Sequence, residues 1–161
     1  MDETKQPGIL IGQIYVERAE FSHRDDALNL PPNTQHQPKL QVGFQGGVAP
    51  NEKTGFVRIS VRTQADDKPL YNIALTMIAL LVVDEKRKNL PLKDYVRSAA
   101  PVMLYPFVRE AVAGLTWRGR FGPIWMNPFN LSAVMDQVPG VESAVPLPKI
   151  KRARRAKAPT R

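Results

Sequence analysis

The hydrophobic rhythm of this chain changes once, from a period of two in its first half to a period of three to four in its second. Ile9 to Phe21 reads as a long strand. Ile14 and Val16 fall on one face and Ala19 and Phe21 on the other, and this change of phase points to a bulge near Glu17-Arg18 or to burial on both faces. Ser22 to Pro38 is rich in polar residues and proline and reads as a loop. Lys39 to Gln45 alternates cleanly, with Leu40, Val42 and Phe44 opposite Gln41, Gly43 and Gln45. Gly46-Gly47 and the Pro50–Gly55 stretch predict a hairpin connection. Phe56 to Thr63 alternates again, and Asp66-Asp67-Lys68-Pro69 supplies a turn. Leu70 to Val83 is apolar on both faces. Its length permits a helix, but its β-rich surroundings favour a strand buried on both sides.

After a charged turn at Asp84–Leu90 the period lengthens. Leu92, Tyr95, Val96, Ala99, Met103, Phe107, Val108, Ala111, Val112 and Leu115 recur at three- and four-residue steps, which predicts one helical stripe. Pro91 suits the first turn, where a missing N–H costs nothing. Pro101 and Pro106 lie inside the pattern and predict a kinked helix, or else two shorter helices with a loop between. Gly119 is placed for a left-handed cap, with Arg118 and Arg120 at the negative end of the helix. Leu131 to Gln137 predicts a last short helix capped by Asn130, with Val134 and Met135 inward. The expected architecture is α+β: a four-stranded antiparallel sheet, a long kinked helix and a short C-terminal helix. Residues 1–8 and 139–161 are expected to be loose ends flanking one domain at 9–138.

Composition narrows the picture. The chain has 161 residues, 43% of them hydrophobic, which suffices for one domain with its own core. It has no cysteine, so neither disulfides nor thiolate chemistry are available. The first residues lack the basic-then-apolar order of a secretory signal, and Ile73–Val83 is far short of the roughly 20 residues a membrane helix needs. A cytoplasmic protein is expected. The net charge of +8 is concentrated at one end: residues 149–161 carry seven of the 23 lysines and arginines and no acid, which leaves 16 basic and 15 acidic residues elsewhere. A folded nucleic-acid reader would carry its charge on the folded surface.

No catalytic constellation is legible, and no cofactor or metal is expected. The two histidines, His23 and His36, lie in the expected loop. Ser22-His23-Arg24-Asp25-Asp26 is a run of sequence neighbours, whereas triad members converge from separate elements. Phosphate-binding loops, Cys/His metal spacings and nucleophile motifs are all missing from the sequence. The protein is expected not to be an enzyme.

Three segments together carry a family likeness. Tyr105-Pro106-Phe107-Val108-Arg109-Glu110 resembles the aromatic-Pro-aromatic-x-Arg-Glu motif of the SecB protein-export chaperones. Arg118-Gly119-x-Phe121 and Asn127-Pro128-Phe129-Asn130-Leu131 resemble the two segments that follow it in that family. With the strand pattern, the resemblance spans roughly residues 9–137. It implies a holdase that binds unfolded or precursor polypeptides in hydrophobic grooves without ATP, assembled from dimers that pair into tetramers. The groove residues it implies are Leu40, Val42 and Phe44 on the second strand, with Trp125, Met126, Phe129, Leu131, Val134 and Met135 beyond the long helix. Trp125 and Met126, between proline-bounded turns, are the foremost of these. Tyr105, Phe107, Arg109 and Glu110 are the implied oligomer interface.

The chain also departs from the family. Where export chaperones present acidic residues to the motor SecA, this sequence has Arg18, Ser22 and Ala74, and the aromatic before Gln-Pro is His36. Wrong charge at a recognition face costs association rate and affinity, so standard SecA docking is not expected. A dedicated client such as an antitoxin fits as well as general export. The tail, with Lys149, Lys151, Arg152, Arg154, Arg155 and Lys157, offers a site for an anionic partner: RNA, DNA, ribosomes, anionic lipid or acidic clients. A solubilising end is the other reading, and the absence of aromatic residues there argues against base stacking.

Overall fold

The structure is a computed structural model that describes residues 7–31, 34, 38–64, 69–87 and 89–128. The expected C-terminal helix, Phe129, Leu131, Val134, Met135, His36 and the basic tail lie outside the described residues. Four strands form one antiparallel sheet: β1 (Ile9–His23), β2 (Leu40–Val48), β3 (Thr54–Thr63) and β4 (Tyr71–Val83), in the order β1-β4-β3-β2. One helix, α1 (Leu92–Thr116), follows.

The pairing register explains the phase change in β1. Val16 pairs with Met77 and Arg18 with Thr76, so Glu17 is an extra residue, and a second irregularity lies between Ile11 and Gln13. After each, the apolar residues return to the face shared with Ile73, Leu75 and Met77. Phe21 and Ile14 therefore end on the same face, because the bulge absorbs the odd residue.

That inner face carries Val57, Ile59 and Val61 of β3 and the odd-numbered residues of β4, all buried. Helix α1 closes it with Leu92, Val96, Ala100, Leu104, Val108 and Val112. Fully burying each of these leucine and valine side chains is worth roughly 1.5–3 kcal/mol. The helix runs unbroken through Pro101 and Pro106, which rules out two helices with a loop. Each proline only deprives one carbonyl, of Arg97 or Val102, of its usual partner four residues on.

Several expectations change. Met103 and Phe107 face outward at 43% and 46% exposure, while Leu104 and Tyr105 are buried. A helix stripe read as i, i+3, i+4 has two neighbouring solutions here, and the sheet selects the one through Ala100, Leu104 and Val108. Gly46 and Gly47 lie within β2 rather than in the turn. A Cβ on Gly46 would sit 2.5 Å from Val96, so this glycine lets the helix approach the sheet. The turn itself is Ala49–Lys53, with Glu52 at φ 53°. Gly119 has no left-handed φ. That role falls to Gly122, at φ 80°, while a Cβ on Gly119 would lie 2.5 Å from the Tyr71 hydroxyl oxygen.

His23 ends β1 instead of lying in a loop. It packs edge-on against Phe21 and Tyr71, at 5.4 and 5.3 Å between centroids, and its Nε2 accepts the Arg120 N–H at 3.2 Å. Ser22-His23-Arg24 is followed by a 3-10 turn at Asp25–Asn29.

Candidate functional site

Beyond α1 the chain turns at Trp117–Phe121 and runs back along the helix. Residues 124–127 belong to no helix or strand, and burial alternates along them: Ile124 and Met126 are buried, Trp125 is 64% exposed and Asn127 is exposed. This return segment belongs to no sheet, so its backbone groups need other partners. Helix side chains supply them. Thr116 Oγ1, fully buried, accepts the Ile124 N–H at 2.8 Å while donating to Val112 O at 2.9 Å. Arg109 Nε donates to Met126 O at 2.8 Å, and the Tyr105 hydroxyl donates to Asn127 O at 2.9 Å. Burial raises the Tyr105 hydroxyl above its ordinary pKa, with the Arg109 charge opposing. It is therefore a neutral donor over the physiological range.

The pinned segment separates two depressions. One, of about 240 Å³, lies on the sheet side, between Pro38, Leu40 and Val42 and the Tyr105–Asn127 contact. The other, of about 380 Å³, lies on the helix side, between Trp125 and the stripe Pro106, Glu110, Ala113, Gly114 and Trp117. Trp125 and Met126 line both. The indole is the shared wall and the buried methionine is part of each floor. Gly114 leaves open space where a Cβ would stand.

The structure thus brings Leu40, Val42, Trp125 and Met126 together. Phe44 is half-buried against the core and lines neither depression. Met126, at 6% exposure, is a floor rather than a projecting contact. Of the expected interface residues, Phe107 is exposed and Glu110 lines the helix-side depression. Tyr105 is buried at 5% exposure and lines the sheet-side depression, while Arg109, which lines the helix-side depression, bonds to the return segment. Sequence reasoning missed Trp117, Ala113 and Gly114. The signal was present as two small residues beside a tryptophan at the end of a helical pattern.

The outer face of the sheet is closed differently. Arg58 on β3 reaches across β4, donating to Glu17 Oε1 at 2.9 Å on β1 and to Gln45 Oε1 at 2.7 Å on β2. Its guanidinium lies 5.6 Å from the centre of the Phe56 ring. Ile78, its register partner, is fully buried, and Phe56 is 1% exposed. On this outer face of β4 Ile78 is buried, Ala74, Thr76 and Leu80 are half-buried, and Val82 is 41% exposed, so the chain covers the middle of the face and leaves its ends open. Arg18 is paired with Glu20 at 2.8 Å on this face, which holds the Glu20 carboxyl below the usual range. Among the described residues no group of three or more His, Cys, Asp or Glu side chains could hold a metal ion, and no helix is long and apolar enough to cross a membrane.

A four-stranded antiparallel sheet backed by one long helix, with apolar depressions beside an exposed tryptophan, defines an α+β protein. The comparisons with known proteins agree in class. The family model described as "Preprotein translocase subunit SecB" matches residues 2–139, and the chain belongs to the SecB family, a family of chaperones. It is 27% identical over 162 aligned positions to the protein-export protein SecB of Neisseria meningitidis serogroup B, covering 89% of this chain and 99% of that one. It is 24% identical to the protein-export protein SecB of Albidiferax ferrireducens, covering 85% and 88%. The fold is also similar, at a TM-score of 0.53 and 17% identity, to a SecB-like chaperone of Mycobacterium tuberculosis solved in complex with a ChAD peptide from an antitoxin. That match covers 76% of this chain and 88% of the other.

Proposed function

We propose that this chain is an ATP-independent holdase that takes apolar segments of non-native polypeptides into the two depressions beside Trp125. The observation that carries this reading is the 64% exposed indole standing as a common wall between them. A large apolar ring kept in water beside concave apolar surface favours a partner that covers it. Met126 and the aromatic walls suit varied side chains. The clients are precursor polypeptides, as the names of the export relatives suggest, or one dedicated protein, as the antitoxin peptide on the mycobacterial chaperone suggests. The chain works as a homo-oligomer, a dimer of dimers. Supporting this, β1 is an edge strand whose inner side the helix leaves open, with Val16 46% exposed and Ala19 exposed. Docking to SecA is not part of the proposal, since Arg18 and Ala74 stand where acids are expected.

The test is to dilute a slow-folding protein from denaturant without ATP, with the chaperone at sub- to stoichiometric amounts. Delayed refolding and suppressed aggregation are expected, and Trp125→Ala weakens both. An unchanged refolding course with the wild-type protein rules the reading out.

A second reading concerns the tail alone. Seven basic residues and no acid among residues 149–161 favour an anionic partner. Nucleic-acid affinity should then fall steeply with salt and vanish on deletion of 149–161. Binding that ignores salt, or survives the deletion, excludes it.

A further inference from the structure

The three side chains that hold the return segment lie along one side of α1. Tyr105, Arg109 and Thr116 are four and seven residues apart, spacings that fall on a single helical stripe. They meet the segment in antiparallel order: Thr116 holds Ile124, Arg109 holds Met126 and Tyr105 holds Asn127. Trp125 therefore sits between two clamped peptide groups, and its neighbours Ile124 and Met126 are buried.

Arg109 is the only charged member of the row. Charge-assisted hydrogen bonds are about twice as strong as neutral ones. Its bond also lands on the carbonyl of the residue that floors both depressions. We infer that Arg109 is a positioning residue for client binding: it fixes the Met126 peptide so that Trp125 stands out as the wall between the two depressions. This rests on the proposed holdase function and deepens it. It also reassigns a residue that the family motif alone would place at a subunit interface. A charge at an interface acts on assembly. A charge bound to the protein's own backbone acts on the shape of the site.

Two tryptophans are present, so Trp117→Phe leaves Trp125 as the sole indole reporter. All comparisons are made in that background. Arg109→Met keeps the length of the side chain and removes the donor, whereas Arg109→Lys keeps a donor at similar reach. Three quantities are measured: acrylamide quenching of Trp125 without client, particle mass by light scattering, and protection of a refolding client. Arg109→Met is expected to alter the quenching and leave the mass unchanged. It should raise the half-protecting concentration about tenfold, the order of one charge-assisted hydrogen bond. Arg109→Lys should restore both readouts to within about twofold.

Unchanged Trp125 quenching in Arg109→Met overturns the inference, and a fall in mass with unchanged quenching returns Arg109 to the interface. Should Arg109→Met fail to fold, Arg109→Gln, which removes the charge and shortens the reach, takes its place, and unchanged Trp125 quenching in that variant also overturns the inference. If the wild-type protein protects no client, the holdase proposal fails, while the quenching still decides whether Arg109 positions Trp125.

Discussion

The two faces of the sheet follow the same alternation and are closed by different means. On the inner face, rows of Val, Ile and Leu meet the apolar stripe of α1. On the outer face, Ile78 and Phe56 are as deeply buried, yet no helix among the described residues lies over them. One arginine does much of that work, laid across β4 and held at both ends by Glu17 and Gln45. Long cationic side chains can shield apolar surface with their stems while the head stays at the water boundary. Here the arrangement leaves the Arg58 Nε buried without a hydrogen-bond partner among the described residues, an imperfection the helix-covered face does not share. The contrast teaches that burial of a β-strand face does not by itself report a covering element. Ile78 is buried between its cross-strand neighbours Tyr15 and Arg58, while Val82 on the same face is 41% exposed.

The comparison can be broken at either face. The largest effect belongs inside: Leu104→Ala removes a 1%-exposed side chain from the helix–sheet seam and should cost about 2–5 kcal/mol, read from the urea midpoint. Outside, Arg58→Ala uncovers Ile78 and strands Gln45 and Glu17. It should cost about 1–3 kcal/mol and raise the binding of a hydrophobic dye. Arg58→Met should recover most of the loss, because an apolar cover without a buried unpaired nitrogen does the same task. If Arg58→Ala is silent in both measurements, the outer face is not held by this residue.

A smaller effect is expected at the end of the sheet. Tyr71 accepts the Phe121 N–H at 2.6 Å, and Tyr71→Phe should cost about 1 kcal/mol in thermal or urea unfolding. Burial is the leading reason that the hydroxyls of Tyr71, Tyr95 and Tyr105 ionise above the ordinary value of about 10. The folded state holds their protons more tightly than the unfolded chain does. Their contribution is complete below about pH 10 and is lost as the pH rises through the raised folded values. Stability should therefore fall in alkali, and less steeply in Tyr71→Phe. The smallest effect is assigned to the fully exposed Arg18–Glu20 pair, where Glu20→Gln should leave the unfolding midpoint unmoved within error.

Much of this was legible before any coordinates. The phase slip in β1 offered a bulge near Glu17-Arg18 or burial on both faces, and the pairing register selects the bulge, with a second irregularity at Ile11/Gln13 that the sequence did not reveal. The helix and the antiparallel sheet followed from pattern and motif, and Leu40, Val42 and Trp125, named together on the sequence, do line one depression. What escaped depended on contacts distant in sequence. Gly119 reads as a cap by its place after a helix, but it is small because Tyr71, 48 residues earlier, occupies the space of its side chain. Gly46 reads as a turn and instead admits Val96. Arg109 is named on the sequence only as part of an implied oligomer interface, since nothing local reveals that residues 124–127 turn back to meet it. The cover over Ile78 is hidden for the same reason, because no spacing rule joins Arg58 to Glu17.

The strand order has a consequence for how the molecule comes together. Strands β2, β3 and β4 are neighbours both in sequence and in the sheet, so each can zip onto the one before as it is made. Strand β1 comes first of the four, yet its hydrogen-bonding partner is β4, so the pairing of Ile9 with Val83 closes the longest loop in the sheet. A segment of fifteen residues, with a bulge and an apolar side, thus spends the early life of the chain unmatched. Pulsed amide exchange during refolding should find it protected last.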